Sequence, residues 1–220
     1  MDDFSTTGYA PSDVRARSEV ATLLGQVMFL VAVALGFLAA GALIGQDLSP
    51  GTGFILFLVA FGMLLAQAFA GERLRVGTFA ICWLYAIALL LGLGIGPTIG
   101  YFLHTDQGTV VLQAAGCTGL VTLGMGAAGF AMSKDLAAWM RPLSFVILGL
   151  VVVSFAALIF ASGGNPILSA GIGIVSALLI MVDFNYLRKH GTKDDAVWLA
   201  TGIFISIVNI FLSLLNLFDS

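Results

Sequence analysis

The chain has 220 residues, 60% of them hydrophobic and 10% charged, with a formal net charge of −3 and a mean hydropathy of +1.07. Soluble domains carry about one quarter charged residues, so this composition excludes one and requires a surface hidden in lipid. In lipid only helices and closed barrels satisfy the backbone, and apolar runs of about 20 unbroken residues select helices.

Taken in order, residues 1–18 (M-D-D-F-S-T-T-G-Y-A-P-S-D-V-R-A-R-S) read as a polar, disordered tail. The apolar run that follows is too long for the core of a cleavable signal peptide. A single transmembrane domain is expected over 19–218. Its first helix is predicted over Glu19–Ile44, the second over Thr52–Ala70 and the third over Val76–Leu103. Pro97 lacks a backbone donor and predicts a break or bend in the third. The fourth is predicted over Thr109–Met132 and the fifth over Pro142–Phe160, with Pro142 at a first helical position that tolerates it. Asn165 reads as an N-cap for the sixth, Pro166–Leu187, and the seventh is predicted from Asp195 to Phe218. The fold class is therefore an all-α integral membrane protein, a bundle of seven transmembrane helices.

Orientation follows from the basic residues. Arg15, Arg17, Arg73, Arg75, Lys134, Arg141, Arg188, Lys189 and Lys193 are all nine of the chain, and all fall on one side. The positive-inside rule makes that side cytoplasmic, with the N-terminus inside and the C-terminus outside. This alternation requires an odd number of spans. Small residues repeat along the helices, as at Gly92, Gly96 and Gly100, at Gly41 and Gly45, and through Gly116, Gly119, Gly124, Gly126 and Gly129. Close backbone packing explains them, with dimerisation or a hinge as the alternative. Cys82 and Cys117 fall mid-helix and read as packing residues.

Several chemistries lack their residues. A retinal-type Schiff base needs a lysine within a helix, and all three lysines fall in predicted loops. His104 and His190 lie in loops on opposite sides, without an H-E-x-x-H or G-x-S-x-G motif. An intramembrane aspartyl protease needs two acids, and Asp183 has no evident intramembrane acidic mate. No enzymatic activity, metal site, cofactor or nucleic-acid partner is expected.

Asp183 sits in the last turns of a long apolar run, where an acid costs about 2.5–3.5 kcal/mol by insertion scales and normally faces a cavity or a partner. On the last helix Ser206, Asn209, Ser213 and Asn216 recur at helical spacing and form one polar face. The expected architecture sets that seam against the helix carrying Asp183. Asp183 reads either as a proton- or cation-sensing group, with Arg73 or Arg75 opposing it, or as a structural lock at headgroup level. The seam reads either as part of a path or as interhelical glue.

The G-x-G-P-x-x-x-Y segment (Gly94, Gly96, Pro97, Tyr101), the S-K-D-L-A-A-W loop, V-D-F-N-Y-L and F-I-S-I-V-N-I-F-L-S-L-L resemble the Bax inhibitor family, above all its bacterial YccA branch. The resemblance extends over about Glu19–Phe218. It implies a non-enzymatic protein of the bacterial inner membrane, embedded in lipid. Its implied roles are restraint of a membrane-anchored AAA protease, FtsH, or a pH-gated leak of Ca2+ or another cation. The family's sensing site is typically a pair of acids on helices six and seven. Asp183 matches the first, but the second falls on Ser206, which cannot ionise. That puts two-acid gating in doubt and moves weight to the regulatory role. Arg73 is the residue carried over as the basic partner. The oligomeric state is left open.

Overall fold

In lipid every backbone N–H and C=O must find its partner within the segment, so each long apolar run closes on itself as a helix. The computed structural model describes residues 11–69, 74, 76–160 and 165–219. Seven long helices follow one another, α1 (Pro11–Gly45), α2 (Pro50–Phe69), α3 (Thr78–His104), α4 (Gly108–Ala131), α5 (Ala137–Phe160), α6 (Pro166–Lys189) and α7 (Ala196–Asp219). All seven are long and apolar enough to cross a membrane. Arg73 and Arg75 lie outside the described residues.

Most boundaries fall within two residues of the sequence reading, and three of the shifts have a clear local reason. Helix α1 begins at Pro11 rather than Glu19. A proline at the first helical position is pre-set for entry, and D-V-R-A-R-S-E-V contains no breaker. Residues 11–18, expected in the tail, are therefore helical. Helix α5 begins at Ala137 rather than Pro142. The Asp135 carboxylate accepts from the Ala137 N–H at 2.9 Å and starts the helix a turn early, leaving Pro142 and Arg141 inside it. Helix α6 runs on to Lys189, so Arg188 and Lys189 occupy its last turn, where the helix dipole favours cations. Helix α3 runs uninterrupted through Pro97. Its ring packs where α2 offers only Gly53, since a Cβ there would stand 2.7 Å from the proline Cγ. Asn165 caps α6 as predicted, accepting from the N–H groups of Ile167 and Leu168 at 3.0 and 3.3 Å.

Helices α1 and α3 pack backbone to backbone. A Cβ on Gly41 would stand 2.5 Å from the Leu89 carbonyl oxygen, and one on Gly96 would stand 2.5 Å from the carbonyl carbon of Gly45. The repeated glycines of these two helices are thus one interface. On α4 the pattern divides. Gly126 and Gly129 face Phe184 and Met181 of α6, whereas Gly116, Gly119 and Gly124 have open space beside them. Helix α7 lies inside the bundle, against α6, α4 and α1, while the main neighbour of α5 is α6. Rings of Phe54, Phe57 and Phe61 on α2 surround Phe155 of α5 at 5.3–6.3 Å between centroids. The main core joins Val27, Val31, Leu84, Ile87, Ile180, Leu187, Leu199, Ile203 and Phe204.

Candidate functional site at the α6–α7 seam

Helices α6 and α7 are antiparallel neighbours, and three facing pairs fix their register. Asp183 meets Gly202, where an added Cβ would stand 3.2 Å from Oδ2. Gly173 meets Ser213, whose Cβ would lie 3.2 Å from a Cβ at the glycine. Ser169 donates its hydroxyl to Asn216 Oδ1 at 3.0 Å. The residue numbers of each pair add to nearly the same value, as an antiparallel pair requires. On α7 the stripe reads Gly202, Ser206, Asn209, Ser213, Asn216, and on α6 it reads Asp183, Ser176, Gly173, Ser169.

Asp183 is 6% exposed. Among the described residues the one ion pair is between His190 and Asp135, so no described cation sits on Asp183. The glycine at 202 leaves the space its carboxylate fills. Ser206 is buried one helical turn further along α7 than Gly202. Arg73, the expected basic partner, falls outside the described residues. Between Asp183 and the far half of the seam lie Leu179 and Ile180, both buried, and Ser176, whose hydroxyl is fully enclosed without a hydrogen bond.

The remaining seam residues open onto space. Asn209, Ser213 and Asn216 line a cleft of about 240 Å³ together with Ser154, Ser169 and Phe155. This cleft lies at the end of the bundle opposite the basic loops. Its deepest α6 residue is Ile172, about 16 Å along the helix from Asp183 at 1.5 Å per residue. The seam is therefore two places, a closed one at Asp183 and an open one at Asn209–Asn216.

Two polar residues that the sequence reading passed over organise the closed end. Asn185 is fully buried. Its amide Nδ2 donates to the carbonyls of Gly129, Met132 and Lys134 at 3.1, 3.3 and 3.1 Å. Its Oδ1 accepts from the Leu136 N–H at 2.9 Å. The last turn of α6 completes the grip. Arg188 donates to the Met132 carbonyl at 2.6 Å and stands over the Phe130 ring. Lys189 reaches the Ser133 carbonyl, and His190 Nε2 meets Asp135 Oδ2 at 2.7 Å. The Ala137 N–H, and then His190, hold the Asp135 carboxyl below the ordinary aspartate range. The S-K-D-L connector is thereby fastened to α6. The second residue is Gln67 near the end of α2, buried, donating to Thr201 Oγ1 and the Leu74 carbonyl, each at 3.2 Å. It ties α2 to α7 one residue from Gly202. An amide in each apolar run was the available signal for both.

Seven spans, an acid buried in the sixth and a polar stripe on the seventh define a multi-pass integral membrane protein with a helix–helix seam as its chemically distinct feature. The chain belongs to the Bax inhibitor family, since the family model "Inhibitor of apoptosis-promoting Bax1" matches residues 20–220. It is similar to a Vibrio cholerae protein described as an uncharacterized membrane protein, 31% identical over 132 residues, 58% of this chain and 57% of that one. An uncharacterized Pseudomonas aeruginosa protein is 30% identical over 132 residues, 58% of each chain. An uncharacterized Neisseria meningitidis protein is 34% identical over 132 residues, 58% of this chain and 56% of that one. The match thus spans less than three fifths of each of these relatives.

Proposed function

We propose that this protein is a non-enzymatic regulator of the bacterial inner membrane that acts by binding a membrane-anchored AAA protease of the FtsH kind. The observation that supports it best is the closed end of the seam. Asp183 packs on Gly202 under buried side chains, and the residue one turn further on α7 is Ser206, which cannot share a proton as a second acid would. Contact is then the simpler activity than conduction. The end bearing the basic loops offers a firm surface for it, because the 133–136 connector is fastened to α6. Helix α1 continues from the start of its apolar span at Ser18 back to Pro11, about 10 Å of helix at 1.5 Å per residue. By the positive-inside rule this end is cytoplasmic.

The test is co-purification from native membranes together with turnover of the protease's membrane substrates in cells with and without this protein. Recovery of the protease and faster turnover on deletion are expected. No recovery and unchanged turnover would sink the proposal.

A second reading, a pH-sensitive leak of Ca2+ or another cation through Asp183, draws support from the open half of the seam, whose stripe leads toward the acid. Flux into proteoliposomes across pH decides it, comparing wild type, Asp183→Asn and Ser206→Asp. Flux that needs Asp183 would establish the leak. Equal flux in all three and in empty vesicles would remove it.

A further inference from the structure

The cleft between α2, α5, α6 and α7 has a chemistry of its own. Its polar lining is made of hydroxyls and amides, and no aspartate, glutamate, lysine, arginine or histidine contributes to it among the described residues. The side-chain oxygens of two of its amides are already engaged, that of Asn165 as the α6 cap and that of Asn216 by the Ser169 hydroxyl. The Asn209 amide and the hydroxyls of Ser154 and Ser213 make no hydrogen bond to the described protein. In a bilayer such groups need partners, and an amide alone offers two donors and an acceptor.

The lining has no charged side chain with which to hold an ion as a resident guest. A bare divalent cation takes six to eight oxygens, usually with carboxylates among them, and the lining has none. An anion would look for a cationic side chain or the open start of a helix. There is no such side chain in the lining, and the N–H groups at the start of α6 are taken by Asn165. The guest must be neutral and able to hydrogen-bond.

Depth and walls add the rest. From the Asn165 cap to Ile172 is about 10 Å along α6, the zone where headgroup gives way to acyl chain. Phe57 and Phe155 form an apolar wall between α2 and α5, two helices that meet through these rings. A chain leaving the polar floor past these rings enters hydrocarbon.

We propose that this cleft binds a neutral glycerolipid, its uncharged hydroxyl and ester groups on Asn209, Ser213 and Ser154 and its acyl chain leaving over the Phe57 and Phe155 rings into the surrounding hydrocarbon. A volume of about 240 Å³ holds a glycerol with its ester carbonyls, on the scale of about 30 Å³ per water-sized group. The site is independent of the protease-binding reading, which concerns the other end of the seam, and it competes with the leak reading, for which this cleft would be the entrance.

The experiment uses the full chain in nanodiscs with a photoreactive diacylglycerol, and a photoreactive phosphatidic acid of the same chains as the charged comparison. Labelled peptides are mapped by mass spectrometry. Diacylglycerol is expected to mark cleft peptides of α5 and α7 more than phosphatidic acid does. Asn209→Leu, which keeps the volume and removes the amide, should lower that labelling about five-fold, the loss of one hydrogen bond. Ser154→Phe, on the outer helix α5, should fill the cleft and abolish it. Labelling around Phe145 on the lipid-facing side of α5 should not change. Equal labelling by both probes would overturn the proposal. So would indifference to Asn209→Leu, or cleft labelling no stronger than at Phe145, which would mean that the cleft has no preference over the surrounding bilayer.

Discussion

Asn185 provides a strict test of how the closed end of the seam is held. Replacing it with leucine keeps the bulk of the side chain and removes every polar contact it makes. Its two amide hydrogens are shared among three backbone carbonyls, and its oxygen takes one backbone N–H. That amounts to three full hydrogen bonds at about 1 kcal/mol each. Interhelical polar contacts measured in membranes average nearer 0.6 kcal/mol, so the expected loss is about 2–3 kcal/mol. Asn185→Asp should be no milder, because a carboxylate would face three carbonyl oxygens with no hydrogens to offer them. Unfolding by titration with SDS in mixed micelles gives the stability. Tryptic cleavage after Lys134 reports release of the connector, since the Lys134 carbonyl is one of the three partners. A change below about 0.5 kcal/mol for Asn185→Leu, with cleavage at Lys134 unchanged, would refute the account.

Gly129→Ala should cost about 1–3 kcal/mol in the same titration, because its Cβ would fall on the Met181 carbonyl. Gly119→Ala, with nothing beside it, should instead be neutral or raise stability by up to about 1 kcal/mol. Asp106 has a φ of 58°, in the left-handed region. Asp106→Gly should therefore raise stability by about 0.5–1 kcal/mol, since glycine occupies that region without a Cβ clash. The Asp135 carboxyl titrates below its ordinary value because of the Ala137 N–H and then His190. Its grip on the connector should therefore be complete above the ordinary aspartate value of about 3.9. It should fall away as pH drops through the lowered one. The protection factor of the Ala137 amide across pH 7 to 3, with intrinsic exchange divided out, measures it, and Asp135→Asn should remove the pH dependence of that factor.

Most of the bundle could be read from the chain because membrane helices announce themselves by length and hydropathy. Seven spans, the Asn165 cap and the stripe Ser206–Asn216 all rest on that local logic. Helix ends were less legible. Where α5 begins depends on a side chain outside it, Asp135, and where α6 ends depends on carbonyls of another connector that Arg188 and Lys189 reach. Within the candidate site, Asp183 and the stripe could be named from sequence, but their division into a closed and an open half could not. That division comes from the bulk of Leu179, Ile180 and their neighbours, and apolar residues look alike in a membrane sequence. Asn185 was hidden for a related reason. An acid in an apolar run draws attention by its cost, while an amide two residues on satisfies itself with backbone from a distant loop.

The closeness of those two residues has a mechanical consequence. Asp183 and Asn185 lie within one turn of α6, yet the first packs on Gly202 of α7 and the second grips the 133–136 connector. Any change that pushes Asp183 away from Gly202 must shift that turn of α6 relative to α7. The turn cannot shift freely, because Asn185, Arg188, Lys189 and His190 tie it to the connector. Toward its start, α6 is tied by a polar side-chain bond to α7 through Ser169 and Asn216. A substitution at Asp183 should therefore be felt at the connector before it is felt at the cleft. In proteolysis, Asp183→Leu should expose Lys134 while leaving lipid labelling of the cleft unchanged. The reverse order would mean that α6 moves as a rigid rod, hinged at the basic end.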